Sequence, residues 1–113
     1  MKRNYSKEPK IKPEVGMGAS MSVGSDCYGY EIIEVINPKH AIVRPYDTRL
    51  IGGDILSEHQ EYEFIPNPRN HTLHVVYRYG RWWGNSAYPR RKLDSKYEHW
   101  SIGQAHEYRD PCF

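Results

Sequence analysis

The chain has no long apolar run, no paired-cysteine motif and no acidic side chain between Glu63 and Asp94. Without a stretch approaching the ~20 apolar residues of a spanning helix, no membrane partner is expected. The N-terminus is polar and basic with no apolar centre, unlike a secretion signal, so a soluble cytoplasmic protein with reduced thiols is the expectation. Cys27 and Cys112 stand far apart and no CxxC occurs, which argues against a zinc ribbon. Aliphatic residues are scarce while tyrosine reaches ten. The interior must therefore be small and partly aromatic, and a subunit interface would supply missing burial. A net charge of +2 is too weak to argue for nucleic acid by itself. Its distribution says more: Met1 to Lys12 is basic, and Asp47 to Glu63 holds most of an acidic cluster.

At 113 residues this is one domain, with a flexible basic arm over 1–14 and a single β domain over 15–113. Strands are expected at Met21 to Val23, Tyr28 to Ile36, His40 to Arg44, Glu61 to Ile65, His71 to Tyr79 and Trp100 to Tyr108, the last with Gly103 as a bulge. Turn chemistry separates them at Ser25-Asp26, Asn37-Pro38-Lys39-His40, Pro66 to Asn70 and Gly80-Arg81. Tyr46 to Gln60 breaks the pattern and reads as a long loop, with one helical turn from Asp54 through Leu56. Asn85 to Glu98 is polar and irregular. The expected architecture is all-β: a small SH3-like barrel or a strongly twisted antiparallel sheet, with at most short helical turns.

Tyr77 to Lys92, YRYGRWWGNSAYPRRK, is the chemically dense stretch. Tyr77, Arg78, Tyr79, Arg81, Trp82 and Trp83 crowd around Gly80, and Asn85, Tyr88, Arg90, Arg91 and Lys92 follow. Guanidinium groups beside aromatic faces suit stacking and phosphate pairing. The same stretch also parses as a hairpin, in which some aromatics must be core. Trp82 and Trp83 are consecutive, so one faces inward and the other outward.

Other constellations are weaker. Gly16-x-Gly18 lacks the strand and helix of a nucleotide fingerprint. His71 and His74, three apart on a strand, would point to opposite faces, so no metal site and no cofactor is expected. Cys27 with His40 or His59 has no third, orienting group for a nucleophile. Asp47, Asp54 and Glu58 lack the alternate-oxygen spacing of a calcium loop. No catalytic residue is named, and a nucleotide hydrolase ranks behind a binding role.

Ser101-Ile102-Gly103 and Glu107-Tyr108-Arg109-Asp110-Pro111-Cys112-Phe113 resemble the ending of a group of small proteins from tailed phages and related metagenomic sequences. Val15-Gly16-Met17-Gly18, Ser25-Asp26, Gln60-Glu61-Tyr62, Pro66-Asn67-Pro68 and Gly80-Arg81-Trp82 follow in similar order. The resemblance implies a phage setting, in the host cytoplasm, rather than an activity. By class analogy, the expected function is a non-catalytic, homo-oligomeric sponge that sequesters a nucleotide-type immune signal against host defence. Tyr77, Arg78, Tyr79, Arg81, Trp82, Trp83, Asn85, Arg90, Arg91 and Arg109 are its candidate ligand-binding residues. The alternatives are an SH3-like nucleic-acid-binding module using the same residues, or a protein-interaction module inhibiting a host enzyme through Trp82 or Trp83.

Overall fold

The computed structural model describes residues 8–54, 56 and 59–109. Eight strands follow in chain order: β1 Gly18–Val23, β2 Asp26–Asn37, β3 His40–Pro45, β4 Asp47–Gly53, β5 Gln60–Ile65, β6 Leu73–Arg78, β7 Arg81–Asn85 and β8 Glu98–Gly103. Six of them close into an antiparallel barrel in the order β1-β2-β3-β6-β7-β8, and β4 and β5 form a separate hairpin. The expected small all-β barrel is what the chain forms.

Alternation along each strand explains the closure. Ala19, Ile32, Ala41, Val43, Val75, Trp82, Trp100 and Ile102 are buried in one cluster, with Met21, Tyr30 and Tyr77 packed against it. Small residues face large ones, so the narrow interior fills without many aliphatics. Ile32, Val43 and Val75 are the largest side chains fully enclosed, and Tyr30 meets Trp100 edge-on at 4.7 Å.

Several sequence expectations need correction. Residues Asp47–Gly53, expected as loop, form β4, paired with β5 from Asp47↔Ile65 to Gly53↔Gln60 around a register shift at Leu50/Gly52. Cross-strand pairing rather than burial makes this strand, so its two glycines did not betray it. The helical turn expected from Asp54 passes through Ile55, outside the described residues; Leu56 N–H donates to Asp54 Oδ1 at 3.0 Å. The strand expected over Trp100 to Tyr108 stops at Gly103, whose φ of +127° turns the chain away. Tyr108 returns to the sheet in a single bridge, exchanging backbone hydrogen bonds with Cys27 at 2.8 and 2.9 Å. β6 begins at Leu73 rather than His71, and Asn85, expected in an irregular segment, closes β7. Of the arm, residues 1–7 lie outside the described residues; Pro9 and Pro13 are buried, and Ile11 lies over Gly103. Residues 110–113 also lie outside the description, so Cys112 does as well.

Segments outside the ring cover parts of its outer face. Residues 104–109 cross β1 and β2: Ser20 Oγ donates to Gln104 O at 2.6 Å, and Gly29 N–H donates to Glu107 Oε1 at 2.9 Å. A Cβ at Gly18 would collide with the backbone nitrogen of Ala105. A second cover, the 86–97 loop, is described below. Gly18→Ala should cost about 1–3 kcal/mol by forcing this crossing apart, and Ile32→Ala about 2–5 kcal/mol by opening the core. Leu56→Ala, at a side chain 76% exposed, should leave the urea midpoint unchanged; equal losses for all three would refute this packing.

Candidate functional site

The β6–β7 hairpin carries the dense stretch. Its register runs His74↔Asn85, Val75↔Gly84, Val76↔Trp83, Tyr77↔Trp82 and Arg78↔Arg81. Alternation sends Val75, Tyr77 and Trp82 toward the core cluster. His74, Val76, Arg78, Arg81, Trp83 and Asn85 fall on the opposite, outer face. The two tryptophans therefore part as their adjacency requires: Trp82 is 6% exposed, and Trp83 is half-buried on the outside.

Arg81 is the centre of the outer face. Its guanidinium lies 3.7 Å from the Trp83 ring centroid, and Trp83 Nε1 donates to Arg78 O at 2.9 Å. Arg81 Nη2 donates to Glu98 O at 2.8 Å and Nη1 to Lys96 O at 3.3 Å. These bonds span the seam where β7 and β8 share only the Trp82↔Trp100 pair. An arginine has five N–H donors, so the two carbonyls leave part of its capacity, and its whole charge, in place. Its Nε–H is buried without a hydrogen-bond partner among the described residues, as is Asn85 Oδ1.

A cavity of about 260 Å³ opens beside this seam. Tyr77, Trp82, Trp100 and Ile102 supply apolar lining, and Arg81 and Lys10 also line it. Three of the candidate residues, Tyr77, Arg81 and Trp82, thus meet at one cavity. Lys10, Trp100 and Ile102 were missed, because nothing local to them in sequence places them beside Gly80. Arg78 reaches the 86–97 loop through a long 3.5 Å bond to Arg91 O. Arg90 and Arg91 are exposed on that loop, and Tyr79 is 66% exposed at the hairpin tip. Asn85 is only 3% exposed. Arg109 is not brought to this site. It pairs with Glu107 Oε2 at 2.6 Å and stacks over Tyr28 at 4.2 Å. Its backbone exchanges hydrogen bonds with the Gln60 side chain at 2.8 and 3.1 Å. A second cavity of about 250 Å³ lies there, bounded by Tyr62, Phe64, Gln104 and Glu107. Burial raises the Glu107 carboxyl, against the opposing pull of Gly29 N–H and Arg109.

His74 finds a partner other than the neighbour considered in sequence. His40 Nε2 and His74 Nδ1 are 2.7 Å apart. Tyr88 stacks on His74 at 3.8 Å and 11° and meets His40 edge-on at 5.0 Å. This cluster holds the 86–97 loop against the outer face. No group of three or more metal-ligating side chains occurs among the described residues. The acidic residues considered for a cation are otherwise engaged or lie outside: Asp47 accepts from Asn67 and Asn70 at 2.8 and 2.9 Å, and Glu58 lies outside the described residues.

The chain matches no protein-family model, no curated protein and no solved structure. Among the described residues no helix is long and apolar enough to cross a membrane.

Two predictions follow from these contacts. Trp82→Ala should cost about 3–5 kcal/mol, as a buried aromatic does. Trp83→Ala should cost clearly less, and Arg81→Ala about 1–3 kcal/mol through the carbonyls it abandons. Urea unfolding checks the order. The histidine cluster also sets a pH response. Burial holds both imidazoles below the usual histidine range; His74 lowers His40 further, while Glu34 pulls His74 back up. The unfolded chain therefore binds protons first, so the cluster's contribution is full above about pH 6.5 and is lost as pH falls through the depressed folded values. The thermal midpoint of the wild type should fall more steeply from pH 7.5 to 5 than that of a His40→Gln/His74→Gln variant. Parallel curves would refute the role.

Proposed function

We propose that this protein is a non-catalytic binding module for a nucleotide-type anion, held at the β6–β7 hairpin. The observation that carries this reading is the aromatic-lined cavity to which Arg81 and Lys10 also contribute. At about 260 Å³ it falls just below the ~300–1,000 Å³ of small-molecule sites, which suits one base rather than a whole nucleotide. Tyr77, half-buried where it lines the cavity, offers a π surface to a base, and a phosphate outside the cavity would meet Arg81 and Lys10. In the phage setting implied by the C-terminal resemblance, such a module acts as a sponge, withdrawing a nucleotide signal from host defence. The scarce aliphatic interior supports a homo-oligomer, which light scattering on the eluted protein checks.

The protein-interaction reading has less support. Trp82 is enclosed, and Trp83 has one face under Arg81 and its N–H bonded to Arg78 O. Neither projects as an anchor for a partner pocket.

The test is incubation with cyclic and linear nucleotides, followed by desalting, heat release and mass spectrometry. Intact ligand should be recovered, and Lys10→Glu should weaken its binding at least fivefold. A converted product would establish an enzyme instead. Absence of any retained nucleotide would remove the reading.

A further inference from the structure

Tyr79 occupies a backbone position that bulky side chains avoid. Arg78 and Arg81 pair directly, so Tyr79 and Gly80 form a two-residue turn, with φ of +53° and +79°. Positive φ at both central residues is the type I′ geometry, whose usual first residue is Asn, Asp or Gly. For a bulky residue such a φ is an outlier, and strained positions of this kind gather at ligand-binding sites.

Packing does not account for the tyrosine. Its side chain is 66% exposed, and among the described residues no ring stacks on it and nothing bonds its hydroxyl. Tyr79 thus presents an exposed ring next to Gly80, which with Arg81 helps to line the cavity.

We propose that the ligand of this site carries at least two bases joined by a phosphodiester. One base enters the cavity, and the next stacks on Tyr79. The linking phosphate meets the two arginines that flank the turn, Arg78 and Arg81. This inference rests on the cavity reading and extends it. Stacking tolerates any base because each has a π face, while the cations track the backbone. A small cyclic dinucleotide and a linear single strand share this chemistry.

Calorimetric titration with AMP, linear di-adenylate, cyclic di-adenylate and an adenylate octamer tests the inference and separates the two sources. A dinucleotide should bind about 5- to 140-fold more tightly than AMP, the usual range for one added stack. Preference for the cyclic form or for the octamer then assigns the source. Tyr79→Asn is the diagnostic variant, because Asn suits the left-handed turn and keeps the hairpin. It should hold or raise the thermal midpoint, leave AMP binding unchanged and abolish most of the gain. If dinucleotides bind no more tightly than AMP, or Tyr79→Asn leaves their affinity intact, this inference is overturned while the cavity reading stands. Failure of AMP and all longer forms to bind removes both.

Discussion

The barrel depends on how it closes at its weakest seam. β1 pairs with β8 along six positions, whereas β7 meets β8 at one, Trp82↔Trp100. Two large rings at that point fill the interior from both sides of the seam. The Arg81 side chain does on the outside what ladder hydrogen bonds do elsewhere, donating to Lys96 O and Glu98 O. The loop end is held by Asp94, whose N–H donates to Gly84 O at 2.9 Å and whose carboxylate accepts from Ser86 Oγ at 2.6 Å. A seam built from side chains leaves space between strands where a continuous ladder would leave none. The cavity lined by Tyr77, Trp82 and Trp100 opens beside that closure.

The proposed binding would give Arg81 a second use beside closing the seam. A guanidinium that anchors two backbone carbonyls is pre-positioned, and an incoming anion need not order a free side chain. The same anchoring means that a variant lacking Arg81 alters both fold and site. Lys10 and Tyr79 are better reporters of binding alone, since neither supports the barrel wall. The outer-face cluster of His40, His74 and Tyr88 fixes the loop that bears Arg90 and Arg91, so the basic surface stands on a base that responds to proton concentration.

Local patterning made much of the barrel legible. The β-branched and aromatic run Tyr28 to Ile36 lies within β2, and the alternation of Glu61 to Ile65 gave β5 with Tyr62 and Phe64 on the less exposed side. Adjacency of Trp82 and Trp83 correctly required opposite faces. What could not be read depends on distant partners. Gly52 and Gly53 suggested a loop, yet they pair with Glu61 and Gln60 across a hairpin. Arg81 was legible as a cation beside aromatics, but its two carbonyl acceptors are 15 and 17 residues away. His74 meets an imidazole 34 residues upstream, beyond any local spacing rule. Arg109, grouped with the hairpin by charge alone, is tied instead to Glu107 and Tyr28.

The ladder between β1 and β8 also governs when the protein can exist. Gly18 pairs with Gly103, and Val23 with Glu98. The barrel's first strand therefore waits for its last. During synthesis, β1-β2-β3 can form as a meander, and β4-β5 and β6-β7 as hairpins, each from neighbouring residues. Their shared interior stays open to water until Gly103 has left the ribosome. Contacts of such long sequence separation slow folding and prolong exposure of unpaired edges. Short strands suit this circumstance, and so do charges such as Arg49, Glu61 and Glu63 on the inserted hairpin, which discourage pairing with another chain while the ring is incomplete.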